Sequence, residues 1–579
     1  MGKTIMGEKR LLENRWKRFL AVGLVVAFIF GVGGGASAFK IDTGNEDLRV
    51  NWDNTFRYNL GYRVGSQDKA ILANPNLDDG DRNFASGFVA NRLDVLSELD
   101  ATFKKDFGFR VSWAGWYDQA YAKDSFDNNS VATSNFIKNG QQALGVNDYV
   151  KYYYAGPNGE ILDAFGFGRF SIADIPVQVK AGRHTLFFGE SLGLTAGLNS
   201  IAYMQSPLDV SKAYAVPGTG LKELFRPLNN VSLSVAPIKG LSITGQYFLQ
   251  WEPSRFPEAG SYLGIYDFFL NGSQSILDPG LGVILRGNDI NPPEAIDWGI
   301  ATRWSPDWLD GTVGFYYRYL SDKLPQAFLN LNPVVDGSPA QFNFAYPARI
   351  GLYGLSLSKQ ILGLSVGAEL SYRTNMPLVS DTVVVASDST AAALGLPPGS
   401  YVTALPNSGD SSAARGDTFH GVLNFLGLIN KTPLFDTAAW TAELSWNHWV
   451  RVTQNEAVFR GRPDYNGIDR VSKDAIGIDL TFIPTWFQVF PSVDLLMPLT
   501  FGVGLSGNAS TVAGINKDAG YYSVGLAADI MSRYRIDLTY FGYFGNNTTD
   551  PTGAVTLNNG DYALLKDRGT LALTFRATF

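Results

Sequence analysis

The stretch "LRVNWDNTFRYNLGYRV" (residues 48–64) carries an apolar or aromatic residue at every even position except Asn54. The positions between them are polar, charged or glycine. A period of two residues is typical of a β-strand with one apolar and one polar face. The run is much longer than the usual strand of about 5–6 residues. The fold must therefore provide an apolar environment on one side of a long strand and a polar environment on the other.

The N-terminal 38 residues have the pattern of a targeting segment. Six basic residues lie between Lys3 and Arg18, an apolar run spans 19–30, and the small-residue motif "ASA" occupies 36–38. This order predicts a secretory signal peptide over 1–38 and a mature chain that starts at Phe39. The alternative is an uncleaved anchor, for which the apolar run is short, since a membrane span needs about 20 residues.

The composition excludes several classes of function. The chain has no cysteine, which rules out a disulfide scaffold and cysteine-based zinc sites. Its net charge of −7 gives no basic footprint for nucleic acid. No stretch after residue 38 reaches 18 consecutive apolar residues, so we expect no transmembrane helix in the mature chain. We also expect no cofactor.

The alternating pattern recurs to the end of the chain, and the connections between its runs alternate in length. The short connections predicted are 104–106, 173–176, 237–240, 305–311, 360–363, 430–436, 485–490 and a turn near 532–533. Between them lie long segments rich in Gly, Asn, Asp, Ser and Pro, at about 65–90, 119–160, 189–228, 253–292, 321–347, 376–416, 453–472, 506–518 and 546–566. Short turns at one end and long loops at the other are typical of outer-membrane β-barrels.

The pattern thus predicts an all-β protein, a transmembrane antiparallel β-barrel of the bacterial outer membrane. We count about eighteen strands in one domain over 39–579. Sixteen is the alternative, because the strands near 161–172 and 348–359 are the weakest. In hydrocarbon every backbone polar group must be paired, so a β-protein spans a membrane only as a closed barrel. Only eight residues separate Phe39 from the first strand, so we expect no N-terminal plug domain.

The C-terminal segment "LALTFRATF" (571–579) continues the alternation and ends on Phe579. It resembles the signal by which the barrel-assembly machinery recognises its substrates. We therefore expect this machinery to be a partner, together with outer-membrane lipids, and expect a cell outer membrane location in a Gram-negative bacterium.

The parity of the strands assigns charged side chains to the lumen, with basic and acidic groups in near-equal number. This balance argues against strong ion selectivity from the strands alone. The charges have two possible roles: an inner-wall network of salt bridges, or a transverse field that orients a solute. The candidate lumen-lining residues are Arg49, Arg57, Arg63, Arg110, Arg318, Glu369 and Arg373.

The segment 189–228 is unusually long and apolar for an exposed loop, and such loops are usually functional or disordered. We expect this third long loop to fold inward and narrow the lumen. The alternative is a lid packed on the neighbouring loops. The candidate constriction residues are Glu190, Asp209, Lys222, Glu223 and Arg226.

Two other features carry possible chemistry. The segment "LDDGDRNF" (77–84) clusters Asp78, Asp79 and Asp81, whose oxygens could hold Ca²⁺. It lacks the EF-hand spacing, so we expect an Asp-rich turn without metal. A barrel lipase would need a histidine beside a serine and an orienting group. The only histidines are His184, His420 and His448, which we interpret as wall residues, and we expect no catalytic site and no enzyme.

Several stretches together resemble the domain-of-unknown-function family 1302, over essentially the whole mature chain. They include "DDGDRNF", "FGFRVSWAGWYDQAY", "GRHTLFFGES", "GTGLKELFRPLNNVSLSV", "GQYFLQWEPSRFPEAGSYLG" and "ELSYRTNMPLVSDT". The resemblance implies an outer-membrane barrel, encoded near exporters of the efflux type and linked with the handling of hydrophobic compounds. It implies no established substrate or reaction.

Two functions follow from these features. The first is a porin-like channel or transporter for small organic or hydrophobic compounds, constricted by the third long loop. The second is a non-conducting structural or partner-binding barrel that works with a periplasmic lipid-handling protein and an exporter. The sequence does not indicate an oligomeric state.

Overall fold

The computed structural model describes most of the chain from residue 39 onward. The described residues are 39–122, 126, 130–193, 197–215, 219, 221–332 and 340–579. The predicted signal peptide, 1–38, lies outside the described residues.

In the described part of the chain, eighteen antiparallel strands follow one another around a closed barrel. Their bounds are β1 Leu48–Arg63, β2 Gly87–Phe103, β3 Phe107–Asp118, β4 Asn158–Ile172, β5 Ile175–His184, β6 Leu228–Ile238, β7 Leu241–Phe248, β8 Trp298–Trp304, β9 Gly311–Leu320, β10 Ile350–Ile361, β11 Leu364–Pro377, β12 Arg415–Ile429, β13 Thr437–Gln454, β14 Asp474–Phe490, β15 Val493–Leu496 with Leu499–Ser506, β16 Gly520–Ile530, β17 Tyr534–Phe544 and β18 Thr570–Thr578.

The barrel closes by pairing its first strand with its last. Thr55–Arg63 of β1 lie opposite Thr578–Thr570 of β18, and the other edge of β1 pairs with β2. A short segment, Phe39–Ile41, pairs with the start of β1. Closure leaves no open sheet edge, as a membrane-spanning sheet requires. The predicted count of eighteen is confirmed, and the alternative of sixteen is wrong.

The alternation in residues 48–64 separates the two faces of β1 as predicted. Trp52 and Tyr62 are each 46% exposed on the outer face, whereas Arg57 and Asn59 are buried on the inner face. Along the other strands, leucine, isoleucine, valine and aromatic side chains are likewise exposed outward. This apolar outer surface is the lipid-facing band of an outer-membrane barrel.

The connections confirm the predicted alternation, with one correction. The tight turns fall at one end of the barrel, and Lys104 and Lys105 in the first of them adopt positive φ. The segment 485–490 was predicted as a turn, but it belongs to β14, which ends at Phe490. Its aromatic and β-branched residues favour extended structure. The irregular register between Trp486 and Phe490 explains why the alternation is hard to recognise there.

The long connections lie together at the opposite end. We number them loops 1 to 9: 64–86, 119–157, 185–227, 249–297, 321–349, 378–414, 455–473, 507–519 and 545–569. Loops 4, 5 and 6 form a five-stranded sheet of Ser275–Asp278, Gly282–Arg286, Gln341–Ala345, Gln326–Asn330 and Val383–Val385. The long loops therefore have ordered structure of their own.

The remaining elements of the loops are short. They are the helices Lys69–Leu72, Asp79–Asn83, Asp148–Val150, Lys151–Ala155, Val210–Ala215, Leu221–Leu224 and Asp388–Leu394, the 3₁₀ turns Val131–Thr133, Glu456–Val458 and Asp561–Leu564, and the hairpins Ile137–Lys138 with Gln141–Gln142 and Asn547–Thr549 with Val555–Asn558. None of the helices in the described ranges is both long and apolar enough to cross a membrane.

The C-terminal residue is fixed to the first strand. The backbones of Phe579 and Asn54 exchange two hydrogen bonds of 2.9 Å. The ring of Phe579 packs edge-on against Phe56 and Tyr534. Its recognition by the assembly machinery stays a prediction.

Candidate functional site

Loop 3 begins after β5 and touches the inner wall of strands β8–β13. Its segment "FFGES" (187–191) starts the contact, where Gly189 has φ +95° and lies against the carboxylate of Glu369 in β11. A side chain at this position would clash with that carboxylate, and positive φ also favours glycine. The close approach of loop backbone and wall thus requires glycine at this point.

Glu369 holds the loop by its backbone. Its carboxylate accepts hydrogen bonds from the N–H groups of Glu190, Ser191 (2.8 Å) and Ile201 (2.6 Å). The side chain is buried. A buried carboxylate is tolerated where several donors satisfy its oxygens. Glu369, a predicted lumen-lining residue, therefore faces inward and fastens loop 3.

Glu443 in β13 repeats this arrangement one step along the loop. Its carboxylate accepts the N–H groups of Leu192 at 2.7 Å and Gly193 at 2.8 Å. Asn424 in β12 donates to the carbonyl of Glu190 at 2.7 Å. Three neighbouring strands thus hold one short stretch of loop backbone.

Two arginines bind the carbonyl groups of the next stretch. Arg318 in β9 donates to the carbonyls of Ile201 (2.8 Å) and Tyr203 (2.6 Å). Arg373 in β11 donates to those of Leu198 (3.1 Å) and Ser200 (2.9 Å) and is 0% exposed. The wall is therefore complementary to the main chain of loop 3. Its carboxylates face the loop's N–H groups, and its guanidinium groups face the loop's carbonyls.

The second half of loop 3 forms ion pairs with the other side of the barrel. Glu223 pairs with Arg57 of β1 at 2.8 Å, and both side chains are buried. Lys212 pairs with Glu160 of β4 at 2.9 Å. Loop 3 therefore has contacts with strands on both sides of the lumen.

The candidate constriction residues do not form one charged ring, because those described each have a separate partner. Glu190 pairs with Arg303 at 3.2 Å, Asp209 with Arg255 at 3.2 Å, and Arg226 with Glu252. Glu223 pairs with Arg57, as above. The side chain of Lys222 lies outside the described part of the structure.

The other lumen-lining candidates fall into separate environments. Arg110 pairs with Glu98, Asp100 and Asp163 within the wall, as the salt-bridge interpretation predicts. Arg63 pairs with Asp81 of loop 1 at 2.7 Å and Asp567 of loop 9 at 3.1 Å. Arg49 is exposed.

A cavity of about 570 Å³ lies between the wall of β13–β17 and the long loops, and loops 3, 4, 8 and 9 contribute most of its loop residues. The loops contribute apolar side chains: Leu198, Leu208, Val210, Leu224, Phe256, Leu263 and Phe269. The wall contributes polar groups, among them Asp479, Thr500 and Tyr521, with the Tyr521 hydroxyl donating to Asp479 at 2.7 Å. Apolar side chains and hydrogen-bonding groups therefore both line the cavity, as is usual for sites that accept organic molecules.

Most of the residues that line this cavity were not predicted from the sequence. The apolar composition of loop 3 is the sequence feature that could have indicated the cavity lining. It indicated only that the loop folds inward. The contribution of loop 4 had no distinct signal in the sequence.

The histidines lie in or at the ends of wall strands. His184 Nε2 is 3.0 Å from the Ser232 hydroxyl, and both side chains are buried. His184 Nδ1 lies 3.1 Å from the Gly182 carbonyl, so Nδ1 carries the proton and Nε2 accepts from the serine. His420 contacts Thr418 and Asn199, and His448 contacts Asp474. The orienting group of His184 is a carbonyl rather than a carboxylate.

A family model described as "Protein of unknown function (DUF1302)" matches residues 19–579, and the chain belongs to this family. This confirms the resemblance seen in the sequence. A comparison with curated proteins finds no match.

Solved structures that are similar to the chain share little sequence identity with it. OccAB1 of Acinetobacter baumannii is 11% identical, with 94% of this chain and 99% of that chain covered and a TM-score of 0.39. A BenF-like porin from Pseudomonas fluorescens Pf-5 is 10% identical, with 92% and 98% covered and a TM-score of 0.40. OpdK of Pseudomonas aeruginosa, solved with vanillate, is 9% identical, with 92% and 99% covered and a TM-score of 0.39.

Proposed function

We propose that this protein is an outer-membrane channel for small organic, largely apolar compounds, in which loop 3 narrows the passage. The cavity beside loop 3 is the observation that carries the proposal. Its volume of about 570 Å³ lies within the range of roughly 300–1,000 Å³ typical of small-molecule sites. The apolar side chains of loops 3 and 4 would bind the apolar part of a solute while its polar group stays hydrated.

The attachment of loop 3 supports the constriction. Its backbone is bound by Glu369, Glu443, Arg318 and Arg373, and its return segment is paired with Arg57. These contacts would hold the loop in place against solute flow. The described charged side chains of loop 3 are in ion pairs. The loop would therefore select solutes by shape and apolar contact more than by charge.

Conductance and uptake measurements test the proposal. The protein, refolded into planar bilayers and liposomes, is compared with a variant that lacks residues 195–220. We expect small steady conductance in the intact protein, larger conductance in the deletion variant, and entry of apolar solutes into liposomes that exceeds entry of sugars of equal size.

A substitution in the cavity gives a more specific test. Thr500→Trp would place a large side chain in the cavity and lower solute entry. Val524→Trp, on the lipid-facing side of β16, would leave solute entry unchanged. Silence of the intact protein and of the deletion variant alike would reject a channel. It would favour a non-conducting barrel that binds a periplasmic lipid-handling protein.

A further inference from the structure

We propose that Asp78 and Asp79 of loop 1 and Asp267 of loop 4 form a site for a hard divalent cation of the Ca²⁺ type. One carboxylate oxygen from each residue lies within 4.8 Å of the others. Oxygen atoms grouped in this way match the ligand preference of Ca²⁺, which takes carboxylate and carbonyl oxygens. Among the described residues, no other group of three such side chains comes together in this way.

The three side chains are nearly inaccessible to water. Asp78, Asp79 and Asp267 are 1%, 3% and 0% exposed. An ionised carboxylate in such a place is unfavourable unless hydrogen bonds, an opposite charge or a metal compensates it. Burial therefore distinguishes this group from an ordinary acidic patch on a loop.

Each carboxylate uses one oxygen in the protein and leaves the other available. The Oδ2 atom of Asp79 accepts the N–H of Asn135 at 3.2 Å, and that of Asp267 accepts the N–H of Asp79 at 3.0 Å. The Oδ2 atom of Asp78 is paired with Arg82. The three Oδ1 atoms have no hydrogen-bond partner among the described residues. The side chains are thus held in position while one oxygen of each remains available as a ligand.

The local charge favours a divalent cation. The neighbouring carboxylates, Asp81 and Asp567, pair with Arg63 and Arg568, and Arg82 pairs with Asp78. These five carboxylates and three guanidinium groups leave two negative charges, which fall on Asp79 and Asp267. A bound divalent cation would balance them.

Protonation is the competing way to neutralise the group. Burial, together with the nearby charge of Asp78, raises the pKa of Asp267 to about 8, and burial raises that of Asp78 to about 6. Burial and the charge of Asp267 raise the pKa of Asp79. A bound cation would take the place of these protons.

The position of the site gives it a structural role. Asp78 and Asp79 belong to loop 1, Asp267 to loop 4, and Asn135, which bonds Asp79, to loop 2. A cation here would cross-link loops at the outer mouth of the barrel. The sequence placed Asp81 in the group, but Asp81 instead pairs with Arg63 and Arg568, and Asp267 takes its place.

Calcium binding to the full chain tests the site. The protein is refolded in detergent without lipopolysaccharide, stripped with chelator and titrated with CaCl₂ by calorimetry, with MgCl₂ as comparison. We expect one bound Ca²⁺, and an affinity that falls by about tenfold or more in Asp267→Asn and in Asp79→Asn. Asp410→Asn, on an exposed ion pair in loop 6, serves as the control and should bind as the parent does.

Trypsin supplies a second readout beside the site, at Arg82. Ca²⁺ should slow cleavage after Arg82 in the parent and in Asp410→Asn, but not in Asp267→Asn. Heat-modified gel mobility confirms that each variant has formed its barrel. Absence of binding to the parent at millimolar Ca²⁺, or equal binding by Asp267→Asn, would overturn the site and leave shared protons as the neutralising charge.

Discussion

Two neighbouring parts of the inner wall, the loop-binding part on β9–β13 and the cavity-facing part on β14–β17, use the same sequence pattern for different purposes. On β9–β13, inward side chains such as Arg318, Glu369 and Arg373 are buried against the backbone of loop 3. On β14–β17, inward side chains such as Asp479 and Tyr521 line the open cavity. On these strands, inward polar residues thus either fasten loop 3 or face the cavity. The difference between the two parts arises from where loop 3 lies.

The largest effect on stability is expected from Arg373→Ala in the loop-binding part of the wall. The change leaves the carbonyls of Leu198 and Ser200 without their donors in a buried place. We expect a loss of about 2–4 kcal/mol in the free energy of unfolding, because a buried polar group without a hydrogen bond is unfavourable. Urea titration in lipid measures this loss. Conductance should rise in the same variant as loop 3 loosens.

The matched control for that change is Arg49→Ala, which removes an exposed arginine at the start of β1. Its effect on unfolding should stay within about 0.5 kcal/mol. Equal losses in the two variants would show that the binding of loop 3 by Arg373 contributes no special stability.

A smaller effect on stability is expected from Glu369→Gln and Glu443→Gln. Each replaces one carboxylate oxygen by an NH₂ group that faces loop N–H donors, and each should destabilise the docked loop by about 1–2 kcal/mol. Proteolysis of loop 3 measures this. Both residues hold the stretch 190–193. The stability that the docked loop loses in the double variant should therefore be smaller than the sum of the losses in the two single variants.

Asp529→Asn is the control for this pair, since it changes a carboxylate that pairs with Arg535 in β17. Loop 3 should be cleaved at the parental rate in this variant. Strict additivity of the two glutamine substitutions would indicate that the two glutamates hold independent parts of the loop.

The smallest effect on stability is expected from Asp479→Asn in the cavity-facing part of the wall. Asp479 is half-buried and accepts a hydrogen bond from Tyr521, which an amide oxygen can also accept. Unfolding should change by no more than about 0.5 kcal/mol. If the cavity belongs to the proposed channel, the reversal potential in a salt gradient should shift towards anions, because the substitution removes a negative charge from its lining. A large loss of stability with unchanged selectivity would contradict the division between the loop-binding and the cavity-facing parts of the wall.

Much of the barrel could be predicted from the sequence, because strand periodicity is local. Residues 48–64 define both faces of β1 without reference to any other part of the chain. The segment 485–490 was misread because an irregular register interrupts the period there. Weak alternation in β4 and β10 made the strand count uncertain until the pairing was known.

The candidate site could be predicted only in part. Glu369 and Arg373 were assigned to the inner face by parity, but parity says nothing about what they meet there. Their partners are backbone groups of loop 3, which carry no sequence signature. Asp81 and Asp267 illustrate the same limit, because the grouping of acidic residues along the chain differs from their grouping in space.

The sequence by itself determined the β-barrel, the direction in which each strand's side chains point, and the end of the barrel that bears the long loops. These features depend on the two-residue period and on turn composition, which are properties of neighbouring residues. The tertiary structure alone decided which inward charges fasten loop 3, where the cavity opens and which acidic side chains meet. Those outcomes depend on contacts between residues more than 100 positions apart, such as Arg57 with Glu223 and Asp79 with Asp267, and local patterns do not encode such contacts.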